Sequence, residues 1–223
     1  MSEPPVLSPL QKIRVRGDLA CFSRPEFKAE RASYPWITPS AARNLFQSIL
    51  WKPEMAWEIR RICLLKPIRF TSFLRNEINT KIPSGSNVPG SHYRCDENRA
   101  QRNTVALRDV DYLIEAELTL TDKGRADGQN IRKYIEMFQR RLEHGQYFTA
   151  PYLGCREFAA DVMPAASGDE ALIIADSLDH GLMLYDLVFG ESGKAKETLF
   201  FHAAMKNGVV EVPPYARVLE GTA

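Results

Sequence analysis

The chain has 223 residues, 44% hydrophobic and 26% charged, which is enough to bury a core as one large or two small domains. The opening MSEPPVLSPL carries an acid and three prolines where a signal peptide needs a basic start and an apolar run, and no apolar stretch reaches membrane-spanning length. A cytoplasmic protein with no membrane partner is expected, and the net charge of +1 hides a division: residues 12–108 hold 18 Lys and Arg against 8 Asp and Glu, or +10, and the remainder −9.

A basic half attracts polyanions through phosphate contacts and counterion release, so nucleic acid leads the partner classes. Alternatively the two halves neutralise each other across an interface. Cys21, Cys63, Cys95 and Cys155 are far apart, with no C-x-x-C and no histidine at zinc-ligand spacing. Buried thiols are expected, with no metal and no cofactor.

In chain order, QKIRVRGDLACF alternates apolar and charged residues at Ile13 and Val15, as a half-buried strand does. SRPEFKAERASYPWI has charge and aromatics without a period, which predicts a long loop. In TPSAARNLFQSILWKP, Thr38 is a cap, Pro39 opens the helix, Ala42, Leu45 and Ile49 form its stripe, and Pro53 stops it. MAWEIRRICLL is the next strand. Residues 67–106 are rich in Gly, Pro and Ser and predict a long, mobile, functional loop.

TVALRDVDYLIEAELTLT returns to strand periodicity. QNIRKYIEMFQRR then reads as a helix, with Asn130 as N-cap and Ile131, Ile135, Phe138 and Leu142 as its stripe. Its first turn carries Arg132 and Lys133, where unpaired N–H groups and the positive dipole end favour carboxylates, so an anion is expected there. PYLGCREFAADVM supplies a strand after a glycine turn. The order strand, helix, strand, strand, helix, strand predicts a ferredoxin-like α+β domain over residues 1–164, with two helices on one face of an antiparallel sheet. ALIIADS, LMLYDLVFG, TLFFHAAM and VVEVP predict an accessory β region over 165–223.

Four stretches, RPEFKAERASYPWITPSAARNLFQSILWKP, LLKPIRFTSFLRNEI, RAQRNTVALRDVDYLIEAEL and MFQRRLEHGQYFTAPYLGCREF, spread over residues 24–158. There the chain resembles the CRISPR-associated RAMP-superfamily proteins of type I-C systems, the Cas five-d family. The resemblance implies metal-independent cleavage of precursor CRISPR RNA and retention of the 5′ handle of the mature crRNA. It also implies partnership with the repeated backbone subunit and the large subunit of an effector complex, and it leaves DNA open as a partner. RNA-cutting members of the family resemble one another in a Tyr before WKP and a Lys-His pair at the second helix's start. Leu50 stands at the first position here, Lys133 matches the lysine, and Tyr134 replaces the histidine.

Metal-free RNA cleavage uses the ribose 2′-OH as nucleophile, so the protein orients it and stabilises phosphorane charge. Lys133 at a helix start suits the charge role, and Tyr134 suits donation or orientation better than proton abstraction. His92, His144 and Tyr147 are fallback acid/base groups. For binding, Arg24, Lys28, Arg31 and Arg43 lie among Phe22, Phe27, Tyr34 and Trp36, cations for phosphates beside rings for unpaired bases. Arg94, Arg99, Arg102 and Arg108 give a second basic run, and Lys52, Arg140 and Arg141 complete the RNA-binding set. Gly154 serves either backbone approach to RNA or a tight turn.

Three functions compete at this point. They are an endoribonuclease that keeps its product, a non-catalytic 5′-handle-binding subunit, and a phosphate-binding metabolic enzyme. The absence of a P-loop or dinucleotide glycine pattern weakens the third.

Overall fold

Ile13 and Val15 of strand β1 (Gln11–Ala20) are buried on one side of a sheet, while Lys12, Arg14 and Arg16 line the other. The computed structural model describes residues 8–27, 30–78, 99–190 and 193–221. After β1 come β2 (Arg31–Ala32), α1 (Pro39–Ile49), β3 (Met55–Leu64), β4 (Phe70–Ile78), β5 (Arg99–Leu120), α2 (Asp122–Ala126) and α3 (Ile131–Glu143). β6 (Asp161–Pro164), a 3-10 turn (Asp169–Leu172), β7 (Leu178–Phe189), β8 (Ala195–Lys206), β9 (Val209–Glu211) and α4 (Tyr215–Leu219) follow. One sheet runs β6-β1-β5-β3-β9-β8-β7, with β2 and β4 paired to the start of β5. Every pairing is antiparallel except β2 with β5.

Both long helices form where their caps and stripes place them. The Thr38 hydroxyl accepts from Ala41 N–H at 3.3 Å, and the Asn130 side chain accepts from Arg132 N–H at 2.9 Å. The stripe of α1 packs on β3, and the rings of Phe46, Trp57 and Phe138 meet with centroids 4.7–5.5 Å apart, locking α1, β3 and α3 together. In α3 the buried positions are Tyr134, Phe138 and Leu142. Ile131 and Ile135 are only half-buried.

The opposite face of the sheet explains the charge division. A bulge between Ile59 and Arg61 keeps Trp57, Ile59, Ile62 and Leu64 on the core side and leaves Arg60 between Glu58 and Glu117, which face each other across the ladder. Beside it, Glu115 sits between Lys12 at 2.9 Å and Arg61 at 3.3 Å, and Asp111 holds Arg14 and Arg16. The basic first half and the acidic second half thus neutralise each other across strands, so polarity in sequence is not polarity in space. Segment 165–176 crosses this face, covering Cys63, Leu65 and Leu113 with Ala165 and Ile173.

Several expectations are corrected. Residues 67–106 are not one loop: β4 and the first part of β5 form a hairpin, with Phe70 opposite Leu107 and Ile78 opposite Arg99. Residues 79–98, with His92, Arg94 and Cys95, lie outside the described residues. Within 151–163 only β6 is a strand, and ALIIADS is the end of the 3-10 turn followed by irregular chain rather than a strand. The loop at 23–37 contains β2, paired to Thr104 and Val105. The short α2 has no counterpart in the sequence reading.

Gly154 takes the tight-turn role. Its φ is +82°, and a Cβ there would lie 2.1 Å from the Cys21 carbonyl oxygen. Gly154→Ala should therefore destabilise the protein by at least about 1–3 kcal/mol, the range for a strained non-glycine backbone. Chemical unfolding would read this directly, and an unchanged midpoint would contradict the close approach.

Candidate nucleic-acid interface

A polyanion is drawn to cations that have no carboxylate of their own, so the ion pairs sort the predicted binding residues. Arg24 pairs with Glu26 at 3.6 Å and lies over the rings of Phe27 and Tyr34. Arg31 reaches Glu77 and Glu157 at 3.4 and 3.2 Å. Arg43 is bidentate on Asp186, joining α1 to β7, with the second contact at 2.9 Å. Arg102 is half-buried opposite Arg75, which is itself tied to Glu77 and Glu157. Lys28 lies outside the described residues. Arg31 and Arg43 tie elements of the fold together, and their charge, like that of Arg24, is largely spent on carboxylates.

Tyr34 and Trp36 are also corrected. Both are 0% exposed, and the Tyr34 hydroxyl accepts from Leu184 N–H at 3.2 Å, so neither ring offers a face to a base. They sit just before the cap of α1, where apolar groups pack under the helix entry, and Ile37 in the N′ position is buried with them.

What remains is concentrated at the end of α1 and along α3. Lys52, Arg99 and Arg140 have no carboxylate within ion-pair distance among the described residues. Arg99 stands apart on the β4–β5 hairpin. Arg141 donates through Nη1 to the Ile49 carbonyl at 3.0 Å, and Lys133 donates through Nζ to Gln129 Oε1 at 3.3 Å, both neutral partners. Arg132, the other first-turn cation, is paired with Glu136 at 2.9 Å in the i,i+4 relation. The helix start therefore presents one uncommitted cation rather than two.

The end of α1 is built by donors from the neighbouring elements. An α-helix leaves its last carbonyls without partners. Here Phe148 N–H takes the Ser48 carbonyl at 2.6 Å, Arg141 takes Ile49, and Trp57 Nε1 takes Leu50 at 3.0 Å. Leu50 is 0% exposed, with extended backbone (φ −144°, ψ 118°) that turns Trp51 outward. Trp51 is half exposed and forms one wall of a cleft of about 500 Å³, with Arg43, Lys52, Tyr185 and Tyr215 among its lining.

At the start of α3, Gln129 Oε1 accepts from both the Tyr134 hydroxyl, at 3.1 Å, and Lys133, whose Nζ also lies 5.4 Å from the Tyr134 ring centroid. The Tyr134 ring is 3% exposed. Burial, with Glu54 and Asp127 nearby, pushes the phenol above its ordinary range. Such a hydroxyl keeps its proton, so it donates and orients and does not serve as a base at neutral pH. Of the fallback groups, the Tyr147 hydroxyl donates to the Val162 carbonyl at 2.9 Å, and His144 Nδ1 lies 2.7 Å from the Arg140 carbonyl. Both finish local structure. Among the described residues no three His, Cys, Asp or Glu side chains gather as they would around a metal ion, and no helix is long and apolar enough to cross a membrane.

Sequence reasoning missed Gln129, Trp51 and Phe148. Trp51 lies off the apolar stripe of α1 and directly before a Lys-Pro stop, and that position was the available signal.

The family model of CRISPR-associated protein Cas5d matches residues 12–213. A CRISPR pre-crRNA endoribonuclease Cas5d of Mannheimia succiniciproducens is 43% identical over 92% of this chain and 95% of its own. The protein of the same name from Thermus thermophilus is 41% identical over 91% and 90%. A crystal structure of a CRISPR-associated protein covers 96% of this chain and 97% of its own, with a TM-score of 0.71 at 18% identity, which speaks to the fold.

Proposed function

The chain belongs to the Cas5d family of CRISPR-associated proteins, and on that premise we propose that it is an endoribonuclease that cuts precursor CRISPR RNA within the repeat without a metal. It then holds the 5′ handle as a subunit of the type I-C effector complex in the cytoplasm, beside the repeated backbone subunit and the large subunit. The names of the relatives support the reaction. The observation that carries the site is the set of cations without carboxylate partners among the described residues, Lys52, Lys133, Arg140 and Arg141, gathered just past the end of α1 and along α3, while Arg24, Arg31 and Arg43 are ion-paired.

The order β6-β1-β5-β3, all antiparallel with α1 and α3 as connections, supports a ferredoxin-like reading of residues up to about 164, and β9, β8 and β7 extend its sheet as an accessory region. Lys133 stabilises charge on the phosphorane, Tyr134 orients an oxygen, and Gln129 positions both. The handle-binding reading without catalysis has specific support of its own: Leu50 and Tyr134 stand where RNA-cutting relatives carry Tyr and His, and the Tyr134 hydroxyl is engaged.

The test is the salt dependence of repeat-RNA binding. Each phosphate contact adds about 0.7 to the slope of log affinity against log salt for single strands. Arg140→Ala with Lys52→Ala should flatten that slope by roughly 1–2, whereas Arg24→Ala, which removes an already paired cation, should leave it nearly unchanged. Equal effects would mean that the unpaired cations do not form the binding surface.

A further inference from the structure

Trp51 and Phe148 are 52% and 72% exposed, two large rings left outside a core that buries the other tryptophans, Trp36 and Trp57. Both line a groove of about 290 Å³, together with Asn44, Gln47, Ser48 and Tyr152. Neither ring hangs on loose chain. Phe148 is pinned to the end of α1 by its own N–H and that of Thr149, 2.6 and 3.4 Å from the Ser48 carbonyl, and Gly145 at φ +61° turns the chain back toward α1. Trp51 is set by the buried cap Leu50 before it and Pro53 after it.

The polar part of the groove suits one kind of ligand. Asn44 and Gln47 are three apart on α1, and neither side-chain amide has a hydrogen-bond partner among the described residues. An amide carries a donor and an acceptor side by side, the pattern that matches the edge of a nucleobase. Two cations without carboxylates belong to the same end of α1: Lys52 follows Trp51 in the chain, and Arg141 reaches the Ile49 carbonyl. Aromatic walls, amides without partners and cations at the same helix end together fit an unpaired nucleotide, with its base on the rings and its phosphates toward the cations. A peptide without carboxylates would leave the cations unused.

We propose that the groove between Trp51 and Phe148 is a stacking slot for a single unpaired base of bound RNA, with Asn44 and Gln47 contacting its edge. This rests on the RNA-binding reading above and adds a site distinct from Lys133 and Tyr134. It also gives the exposed tryptophan a function that its position just past the cap of α1 does not require.

The experiment uses the full chain, a short oligo(A), an abasic RNA of equal length, and CRISPR repeat RNA. Base–aromatic stacking is worth about fivefold to a hundredfold in affinity per base. Trp51→Ala and Phe148→Ala should each weaken oligo(A) binding by about tenfold and leave abasic RNA binding unchanged, while Trp51→Phe keeps most of the affinity. Because Trp36 and Trp57 are buried, oligo(A) should quench wild-type tryptophan emission and leave that of Trp51→Phe nearly untouched. Both rings are exposed, so the thermal midpoints should stay close to wild type. Equal affinity of wild type for oligo(A) and abasic RNA, or full binding by Trp51→Ala, would overturn the slot. If repeat RNA still bound normally in that case, the proposed function would stand without it; failure of wild type to bind any RNA would remove both.

Discussion

Asp111→Ala should cost about 3–5 kcal/mol of stability, the range for breaking a buried ion pair by removing one partner. Asp111 is buried on β5 and receives Arg14 Nε and Nη2 at 3.0 and 2.7 Å and Arg16 Nε at 3.0 Å. Arg14 is itself largely buried and keeps only Asp169, at 2.5 Å, once Asp111 is gone. In urea the midpoint should fall with an unchanged slope, and at roughly 2–4 °C per kcal/mol for a chain of this size the thermal midpoint should drop by about 10 °C. Replacing Asp111, Arg14 and Asp169 together by apolar residues should recover much of the loss, because the penalty is mostly that of charges left buried without partners. Glu136→Ala, which breaks the exposed pair with Arg132, should cost only about 0.3–0.5 kcal/mol. A small effect of Asp111→Ala would mean that the sheet face is wetter than its packing indicates.

The same network shows where reading along the chain succeeds. β1, α1 and α3 were legible because each contrasts a buried face with a solvated one at a fixed period, and the helices carry their own caps. β4 carries no such contrast: Phe70, Leu74 and Ile78 alternate with Phe73 and Arg75, so neither face reads as the core. The strand is held by its pairing with β5, which no local window contains. Charge summed by segment failed for the same reason, since Glu115 and Arg61 are opposite each other only across the ladder. Within the proposed site, Lys133 was legible as a cation at a helix start where carboxylates belong. Trp51 and Phe148 were not, because their prominence depends on which rings the core leaves out. Tyr34 and Trp36, equally large rings that also lie outside any periodic stripe, went inside.

Lys133→Ala should lower the single-turnover rate of repeat cleavage by roughly a hundredfold or more, the loss expected when one charge-stabilising donor is removed, with little change in affinity. In the reaction proposed, the ribose 2′-oxygen bonds to phosphorus and gives up its proton. The bond from phosphorus to the 5′-oxygen breaks and that oxygen takes a proton, leaving a 2′,3′-cyclic phosphate and a 5′-hydroxyl. Charge builds on the non-bridging oxygens midway, and an ammonium at the start of α3 acts on them together with the free N–H groups of the first turn. Because Gln129 holds both Lys133 and the Tyr134 hydroxyl, Gln129→Ala should lower the rate while leaving binding intact, the mark of a positioning residue. Tyr134→Phe should slow cleavage less, since its ring stays in the core and only a donating hydroxyl is lost. A single 2′-deoxy nucleotide just 5′ of the scissile bond should abolish cleavage without loosening binding, and EDTA should have no effect. Normal cutting of the deoxy substrate would make water the nucleophile and remove Lys133 and Tyr134 from these roles. Tight binding of the 5′ handle with no cleavage of any repeat RNA would assign the protein to handle-binding alone.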